Sequence, residues 1–377
     1  MIGPSPYALI NMGARFVPCM RNVQGITDSD STILFPCPSA TTFDSECTLS
    51  ELCGFGGVPN PRPGGSMTDK PEPNQWFRFI VPMFLHAGLI HIGFNMLLQV
   101  TLGRDVEKEI GTLRFLLVYF SAGIFGYVLG GNYAATGIAS TGASGCLFGI
   151  LALNLLSLLY NWKTRSRPVR DLMYILIEIV IAFVLGLLPG LDNFSHIGGF
   201  LMGLVLGVCI LRSPQPLRER LGTDDHPYSG VGIGTYNNET QPSTFAMFLK
   251  KPLGFFKHRK PLWWCWWLVR VGALIGVLVG FIALLRNFYV FHVHCNWCKY
   301  LSCLVSSFSF SACSSLLVRG GLPAAVIDSV TNRASLSTTS NSLLITGARL
   351  AICNSLRLKG PTRNATCSFP TRALQVC

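Results

Sequence analysis

The chain has 377 residues, of which 50% are hydrophobic and only 13% are charged, about half the charged fraction of a typical soluble domain, roughly 25%. This composition excludes an ordinary soluble globular protein. The formal net charge of +12 would suit a nucleic acid or an acidic membrane surface as a partner, but long apolar runs dominate the chain, so we expect no nucleic-acid partner.

Six apolar stretches are long enough, or nearly so, to cross a bilayer core as helices, which takes about 20 residues each. Backbone groups cannot stay unpaired in lipid, so the stretches must be helices or barrel strands, and their length and unbroken apolarity favour helices. The sequence therefore predicts an all-α polytopic membrane protein with the spans Phe79–Leu102, Phe115–Ala135, Gly142–Tyr160, Leu172–Pro189, Phe194–Leu211 and Leu262–Leu285.

Lys and Arg in the loops predict the orientation of this bundle. The loop Asn161–Asp171 has four basic residues, and the loop Arg212–Pro261 has eight against four acids, whereas residues 1–75 hold four basic and seven acidic residues. By the positive-inside rule, the two basic loops face the cytosol and both termini face away from it. Residues 1–75 contain no signal peptide and no apolar anchor, so we expect an upstream transmembrane helix to be missing from this chain.

Cysteines are concentrated on the predicted outer side. Two disulfides are expected there, in any of three connectivities, with free thiols as the alternative. The four cysteines concerned are Cys19, Cys37, Cys47 and Cys53. Cys295 and Cys298 form a CxxC pair, but zinc would need two more ligands at matching spacing, and the nearby His292 and His294 are irregularly placed. We therefore expect no metal and no cofactor.

Polar residues within membrane helices are costly, so each is a candidate for function. Ser144 lies between glycines at the outer end of the third stretch, a pattern that alone fits helix packing better than a nucleophile. His196 opens the fifth stretch at the same predicted depth. Gly199, Gly203 and Gly207 recur every four residues on the face to which His196 points. We expect these glycines to bring a neighbouring helix close to the histidine.

A polar stripe lies on the first stretch. His91 and Asn95 are one turn apart on one face, and Gln99 extends the stripe. Donors at this spacing either stabilise an oxyanion or form an interhelical polar contact. His86 is expected at the helix entrance, with a structural role. A serine, a histidine and paired donors in the outer half of the bilayer together satisfy the logic of an acyl-transfer site.

Two carboxylates are left outside this site. Glu178 lies deeper in the fourth stretch and is expected to be a structural hydrogen-bond partner. Asp192 lies four residues before His196, but we place it in a solvated loop where nothing fixes its geometry, so it is not assigned as the acid of a triad.

The order of these motifs resembles the rhomboid intramembrane serine proteases over about Trp76–Leu211. The residues that carry the resemblance are Trp76, Arg78, His86, His91, Asn95, Glu107 in a cytosolic loop, Gly142–Gly145 with its central Ser144, and His196–Gly199 with Gly203 following.

The resemblance implies that Ser144 is the nucleophile and His196 the general base of a dyad without an acid. It implies that His91, Asn95 and the Ser144 N–H form the oxyanion hole, and that an aromatic ring, here Phe148, orients His196. The family cleaves transmembrane segments of other membrane proteins near their outer ends, so the implied partners are such substrates and the lipid bilayer. The residues expected to support the site are His86, Phe148, Gly142, Gly145, Gly199 and Gly203.

The resemblance also implies a compartment and an alternative function. Secretory-pathway relatives add one helix after six core helices, as Leu262–Leu285 does here, and the outer loop resembles fungal members, so we expect the Golgi or the plasma membrane. The alternative is an inactive rhomboid-fold protein that binds transmembrane helices for quality control or trafficking. The expected domains are an outer segment 1–75, a catalytic core 76–212 with five of six core helices, a cytosolic loop 213–261, an extra transmembrane helix 262–285 and an outer tail 286–377, aberrant after about residue 304.

Overall fold

The computed structural model describes residues 3–39, 45–186, 192–221 and 260–293, together with Cys295, Cys298 and Leu301. Most of the predicted cytosolic loop and the tail after residue 304 lie outside these residues. The described residues form ten α-helices, several short 3₁₀ or π-helical turns, and one antiparallel pair of two-residue strands, Phe35–Pro36 (β1) and Glu46–Cys47 (β2). The helices are α1 Pro6–Asn11, α2 Leu49–Cys53, α3 Leu89–Leu98, α4 Arg104–Ile110, α5 Thr112–Tyr133, α6 Ser144–Tyr160, α7 Pro168–Gly186, α8 Asn193–Ile210, α9 Gln215–Leu221 and α10 Pro261–Arg286.

The predicted all-α class is confirmed. Within the described residues, three helical stretches are long and apolar enough to cross a membrane, Thr112–Tyr133, Asn193–Leu221 and Pro261–Phe291, and Ser144–Tyr160 is apolar but shorter. Helices α5, α6, α8 and α10 begin and end within three residues of the predicted spans. Helix α7 begins earlier than predicted, at Pro168, a residue that suits the first helical turn, and the predicted end at Pro189 lies outside the described residues.

The predicted continuous span Phe79–Leu102 is wrong. The chain instead forms two short 3₁₀ turns, Trp76–Phe79 and Val81–Phe84, before the helix begins. Pro82 has a fixed φ and no N–H to donate, and Gly88 has a φ of +145°, which no regular helix tolerates. The apolar character of the stretch alone does not reveal these two interruptions of the helix.

The helix that follows begins at Leu89 and runs further along the chain than predicted. A π-helical turn, Gln99–Gly103, joins α3 to α4 without a break. Glu107 therefore lies on a helix and not in a loop, and its carboxylate accepts a hydrogen bond from the Thr112 hydroxyl at 2.7 Å. This bond ties the end of α4 to the start of α5.

Helices α5, α6 and α8 form the centre of the bundle, and glycines let their backbones touch. A Cβ on Gly199 would overlap the carbonyl oxygen of Gly145, and a Cβ on Gly203 would overlap that of Gly149. The predicted close approach along the α8 glycines is therefore present, and the neighbouring helix is α6. Backbone contact of this kind stabilises helix pairs in membranes through van der Waals packing.

The apolar residues of the outer segment join one core with residues of α5 and α6, and disulfides close the segment. Of the three connectivities left open by the sequence, the structure has Cys19–Cys53 and Cys37–Cys47. Around the first of these bonds, the chain buries several apolar side chains almost completely. They include Ile10, Phe16, Val17, Met20, Phe35 and Leu52.

Arg78 connects the outer segment to the entrance of the first core helix. Its fully buried guanidinium donates to the carbonyl oxygens of Ile10, Ala14 and Cys53 and, at 2.7 Å, to the Gln75 side chain. Burial lowers the pKa of this guanidinium to about 9, so it stays charged at neutral pH. Four hydrogen bonds satisfy the buried charge and fold the outer segment around it.

Helix α10 is attached to the bundle near both ends. At its amino-terminal half, the Arg270 guanidinium donates to the carbonyl oxygen of Leu211, where α8 has ended. At its other end, the Asn132 amide of α5 donates to the Leu284 carbonyl at 3.1 Å, and Phe288 is wholly buried. Between these ends, much of the apolar surface of α10 is exposed, as expected for a helix that faces lipid.

We expect Gly203→Ala to destabilise the bundle and Gly276→Ala not to. Both changes raise helix propensity by about 1 kcal/mol, but only the Cβ at position 203 meets the α6 backbone, whereas that at position 276 meets nothing within 4 Å. Forcing extra volume into a packed contact costs about 1–3 kcal/mol. Thermal unfolding of the two purified variants in detergent should therefore show a lower midpoint for Gly203→Ala. Equal midpoints would contradict the packing described here.

Candidate active site

Ser144 and His196 come together where α6 and α8 begin. Ser144 Oγ lies 2.8 Å from His196 Nε2, the distance of an ordinary hydrogen bond. Ser144 is the first residue of α6 and His196 the fourth of α8. The glycine contacts between α6 and α8 lie within about one turn of these residues and fix the distance between them. Both residues are half-buried, which leaves the pair accessible from one side.

The turn before Ser144 is held from two directions. Gly142 has a φ of +120°, a conformation that favours glycine. Its N–H donates to the Pro82 carbonyl at 2.9 Å, and its own carbonyl accepts from the buried Tyr127 hydroxyl at 2.6 Å. Ser144 opens the helix, so its N–H has no acceptor within α6 and lies at the positive end of the helix dipole. The geometry therefore presents an N–H donor beside the hydroxyl.

Helix α3 carries two further donors, His91 and Asn95, of which His91 lies beside Gly142. His91 Nδ1 accepts a hydrogen bond from the Ala87 N–H at 3.2 Å, so the proton of the neutral ring lies on Nε2. A Cβ on Gly142 would lie 2.8 Å from His91 Nε2 and 3.7 Å from Ser144 Oγ, so these two atoms flank one small space. Asn95 is buried and donates one amide hydrogen to the His91 carbonyl at 2.8 Å, which leaves its second hydrogen for another acceptor.

Phe148 packs against the imidazole of His196. The two rings are stacked, with centroids 4.5 Å apart and an interplanar angle of 16°. On α7, Phe183 contacts the Phe148 ring at 5.1 Å. A phenyl ring offers no hydrogen bond, so Phe148 restrains the plane of the imidazole by packing alone. The predicted aromatic contact is present, and it links the histidine to α7.

The expectation that Asp192 lies in a solvated loop is wrong. Its side chain is 2% exposed and forms an ion pair of 3.0 Å with Arg15 of the outer segment. Asp192 is also the N-cap of α8, since Oδ1 accepts from the N–H groups of Phe194 and Ser195 at 3.1 and 3.3 Å. Capping of a helix dipole by a carboxylate is favourable. The carboxylate hydrogen-bonds these groups and not His196, whose Nδ1 has no partner among the described residues.

Three further sequence predictions have mixed outcomes. His86 lies at the entrance of α3, as expected, with its ring 5.3 Å from that of His91. Glu178 is exposed on α7 and has no hydrogen-bond partner within the described ranges, so the expected structural bond is wrong there. Cys295 and Cys298 are bonded to each other, so neither sulfur is available to a metal. The part of the chain that the structure describes contains no group of three metal-binding side chains.

The contacts of four residues near the site were not predicted, and only one of these residues has a signal in the sequence. Asp192 stands directly before an apolar helix, which is the usual N-cap pattern. Tyr127, Phe183 and Arg15 have no such signal, because each acts on a residue far along the chain. Their positions depend on tertiary packing.

Taken together, the groups at this site suit nucleophilic attack on a carbonyl. The Ser144 hydroxyl lies within hydrogen-bond distance of an imidazole nitrogen, and the Ser144 N–H, His91 Nε2 and the second Asn95 N–H are donors that no hydrogen bond among the described residues occupies. Such donors act most strongly when they are fixed before the reaction. No cofactor is needed for this chemistry.

Known proteins resemble this chain over most of its length. A rhomboid domain is recognised over residues 73–213. Rhomboid-type serine protease 2 of Emericella nidulans is 58% identical over 314 residues, 81% of this chain and 62% of that protein. RHOMBOID-like protein 6, mitochondrial, of Arabidopsis thaliana is 31% identical over 286 residues, 72% of this chain and 85% of that protein. Inactive rhomboid protein 1 of Callithrix jacchus is 29% identical over 256 residues, 68% of this chain and 24% of that protein. The chain thus spans less than two thirds of the length of two of these relatives.

We expect Gly142→Ala to slow the reaction of Ser144 with a fluorophosphonate probe by about 10²-fold, the effect of displacing a reacting group by about 1 Å. The new Cβ would lie 2.8 Å from the His91 ring, at a φ of +120°. Gly56→Ala is the matched control, because Gly56 also has a positive φ, +83°, but its Cβ would meet nothing within 4 Å. In-gel fluorescence of the labelled protein measures both rates. A Gly142→Ala rate equal to that of the control would refute the close contact at this turn.

Proposed function

The chain belongs to the rhomboid family, and from that premise we propose that it is an intramembrane serine endopeptidase. It would hydrolyse peptide bonds in transmembrane segments of other membrane proteins. The observation that carries the proposal is the 2.8 Å hydrogen bond between Ser144 Oγ and His196 Nε2. Polar side chains within membrane helices are energetically costly, so such a pair is a candidate for function.

In the proposed mechanism, His196 Nε2 accepts the proton of Ser144 as Oγ attacks the scissile carbonyl carbon. The tetrahedral oxyanion accepts hydrogen bonds from His91 Nε2, the free Asn95 N–H and the Ser144 N–H. The intermediate then collapses, and His196 returns the proton to the leaving amine, which departs as a new amino terminus. A water molecule, deprotonated by His196, attacks the acyl ester, and collapse of the second intermediate releases the carboxyl product and restores Ser144.

The location of the dyad supports cleavage near the outer end of the substrate helix. Ser144 begins α6, and the basic loops favour an orientation in which that end of the helix faces away from the cytosol. A peptide bond within a helix is hidden by its own hydrogen bonds, so the substrate must unwind locally, and helix-destabilising sequence at that depth would favour cleavage. The partners of this chain would accordingly be membrane proteins with transmembrane helices, embedded in the same bilayer.

The compartment is part of the same proposal. The additional helix α10 after the core supports a secretory-pathway protein, in the Golgi or at the plasma membrane. The protein is an integral membrane protein, as its family and the three long apolar helices among the described residues indicate.

A non-catalytic function is the alternative, in which the fold binds transmembrane helices for quality control or trafficking. It is favoured by the 29% identity to a relative named as an inactive rhomboid protein. The hydrogen-bonded Ser144 and His196 favour the protease, because a binding protein has no need of a nucleophile paired with a base.

We expect Ser144→Ala and His196→Ala each to lower kcat by at least about 10⁴-fold, since a nucleophile and its base act as one unit. The measurement is cleavage of a fluorescent model transmembrane substrate by the full chain in proteoliposomes. Ser157→Ala is the control, because Ser157 lies on the same helix but hydrogen-bonds Glu109, and its activity should be unchanged. Cleavage that survives in either dyad variant would refute the assignment, and substrate binding without cleavage by the wild-type chain would favour the alternative.

The oxyanion assignment makes a separate prediction. Asn95→Ala should lower kcat by about 10²–10³-fold with little change in KM, because the bond it removes forms only with the transition state. Gln99→Ala, one turn further along the same polar stripe, is the matched control and should retain wild-type kcat. If Asn95→Ala instead raises KM at constant kcat, Asn95 binds the ground state of the substrate and not the oxyanion.

A further inference from the structure

Arg15 is paired through its main chain with the segment that leads to Ser144. Its N–H donates to the Ser140 carbonyl at 3.0 Å, and its carbonyl accepts from the Ser140 N–H at 3.0 Å, as an antiparallel bridge. Ser140 is buried and precedes Ser144 by four residues. The path of the chain into α6 is therefore set against Arg15.

The side chain of the same residue is paired with the segment that leads to His196. Arg15 Nη2 lies 3.0 Å from Asp192 Oδ2, with the two side chains 0% and 2% exposed. Asp192 caps α8 and also accepts a hydrogen bond from the Ser195 hydroxyl, and Ser195 directly precedes His196. A single residue thus contacts both chain segments that enter the site.

Two glycines of helix α5 allow the start of α8 to pack directly against the α5 backbone. A Cβ on Gly130 would overlap Asp192 Oδ2, and a Cβ on Gly126 would overlap the carbonyl oxygen of Ser195. The start of α8 therefore rests on bare backbone of α5. A shift of Asp192 toward α5 is blocked, and the charged partner of its carboxylate is Arg15.

Arg15 is itself held by the outer segment. The preceding carbonyl, that of Ala14, accepts from the buried Arg78 guanidinium. Four residues further on, Cys19 is disulfide-bonded to Cys53. Arg15 thus belongs to the part of the outer segment that is most strongly fixed.

The ion pair is not arranged for greatest stability. Arg15 Nε and Nη1 are buried and have no hydrogen-bond partner among the described residues. Removing two charges from water offsets most of their attraction, so a buried pair with unmatched donors gives little net stability. The ion pair instead fixes the position of the segment that leads to His196 relative to the segment that leads to Ser144.

From these contacts we propose that Arg15 is a positioning residue for the dyad. Its main chain sets the segment before the nucleophile, its side chain sets the start of the helix that carries the base, and together they determine the Ser144–His196 distance. The inference rests on the proposed protease function for its kinetic consequence. Its structural consequence, that Arg15 orders both segments, does not depend on activity.

The kinetic test compares Arg15→Met and Asp192→Asn with the wild-type chain in proteoliposomes. Asn caps helices as well as Asp does, so Asp192→Asn removes the charge and keeps the cap. Both variants should lower kcat for the model transmembrane substrate by about 10²-fold, the effect of a displacement of about 1 Å, with KM within about twofold. Arg15→Lys, which keeps a cation to pair with Asp192, should recover about tenfold of that loss.

Arg21→Met is the matched control. Arg21 is also buried in the outer segment, but it donates to the Asn22 carbonyl and lies over the Phe288 ring, without contact to either segment of the site. It should lower the thermal midpoint and leave kcat per folded molecule unchanged. The inference is overturned if Arg15→Met and Asp192→Asn keep kcat within twofold of wild type, or if Arg21→Met loses as much.

Amide hydrogen exchange tests the structural consequence without any turnover. Arg15→Met removes the ion pair with Asp192 but keeps the main-chain bridge to Ser140, so it should speed exchange in peptides that cover residues 192–199, while Arg21→Met should not. Unchanged exchange in residues 192–199 overturns the inference. A wild-type chain that shows no cleavage would count against the proposed function alone, since the exchange result would still decide the role of Arg15.

Discussion

The close approach of the α6 and α8 backbones is the constraint on which the rest of the site depends. Helices with ordinary side chains at their contact lie 8–10 Å apart, whereas Gly199 and Gly203 meet the carbonyl oxygens of Gly145 and Gly149 directly. Ser144 and His196 stand one turn or less from these contacts, so their side chains meet without a long reach. Few rotatable bonds separate the Ser144 hydroxyl and the His196 imidazole from the rigid backbone, so little conformational entropy is lost when these two groups come together.

The same constraint explains why the site lies at the ends of the helices. A helix that is closely packed along its length has no free N–H groups except in its first turn. Donors to an oxyanion must therefore come from the start of α6 or from a neighbouring helix. In the proposed function, the donors on the neighbouring helix are His91 and Asn95 of α3, which begins late, after two short turns and Gly88. The two short turns and Gly88, which make the predicted continuous span from Phe79 wrong, thus set the point at which α3 begins.

Sequence patterns predict the parts of this molecule that depend on local composition. Apolarity is enough to locate α5, α6, α8 and α10, and glycine spacing predicts the contact beside His196. Polar patterning selects His91 and Asn95. It misplaces Asp192, because the residue that buries this carboxylate is 177 positions away, and it misses Tyr127 for the same reason. Long-range pairs leave no periodic signal, so each of these errors concerns a residue whose partner lies on another element.

The outer segment supplies what the membrane helices lack, a polar environment that is sheltered from both lipid and water. Irregular backbone and buried charges are tolerated at membrane depth only when protein surrounds them. The guanidinium of Arg78 pairs with the carbonyls of the outer segment, and that of Arg15 pairs with Asp192 at the start of α8. The disulfide Cys19–Cys53 holds the intervening chain together. In the proposed function, an oxidised and folded outer segment is therefore needed for the geometry of the Ser144–His196 pair.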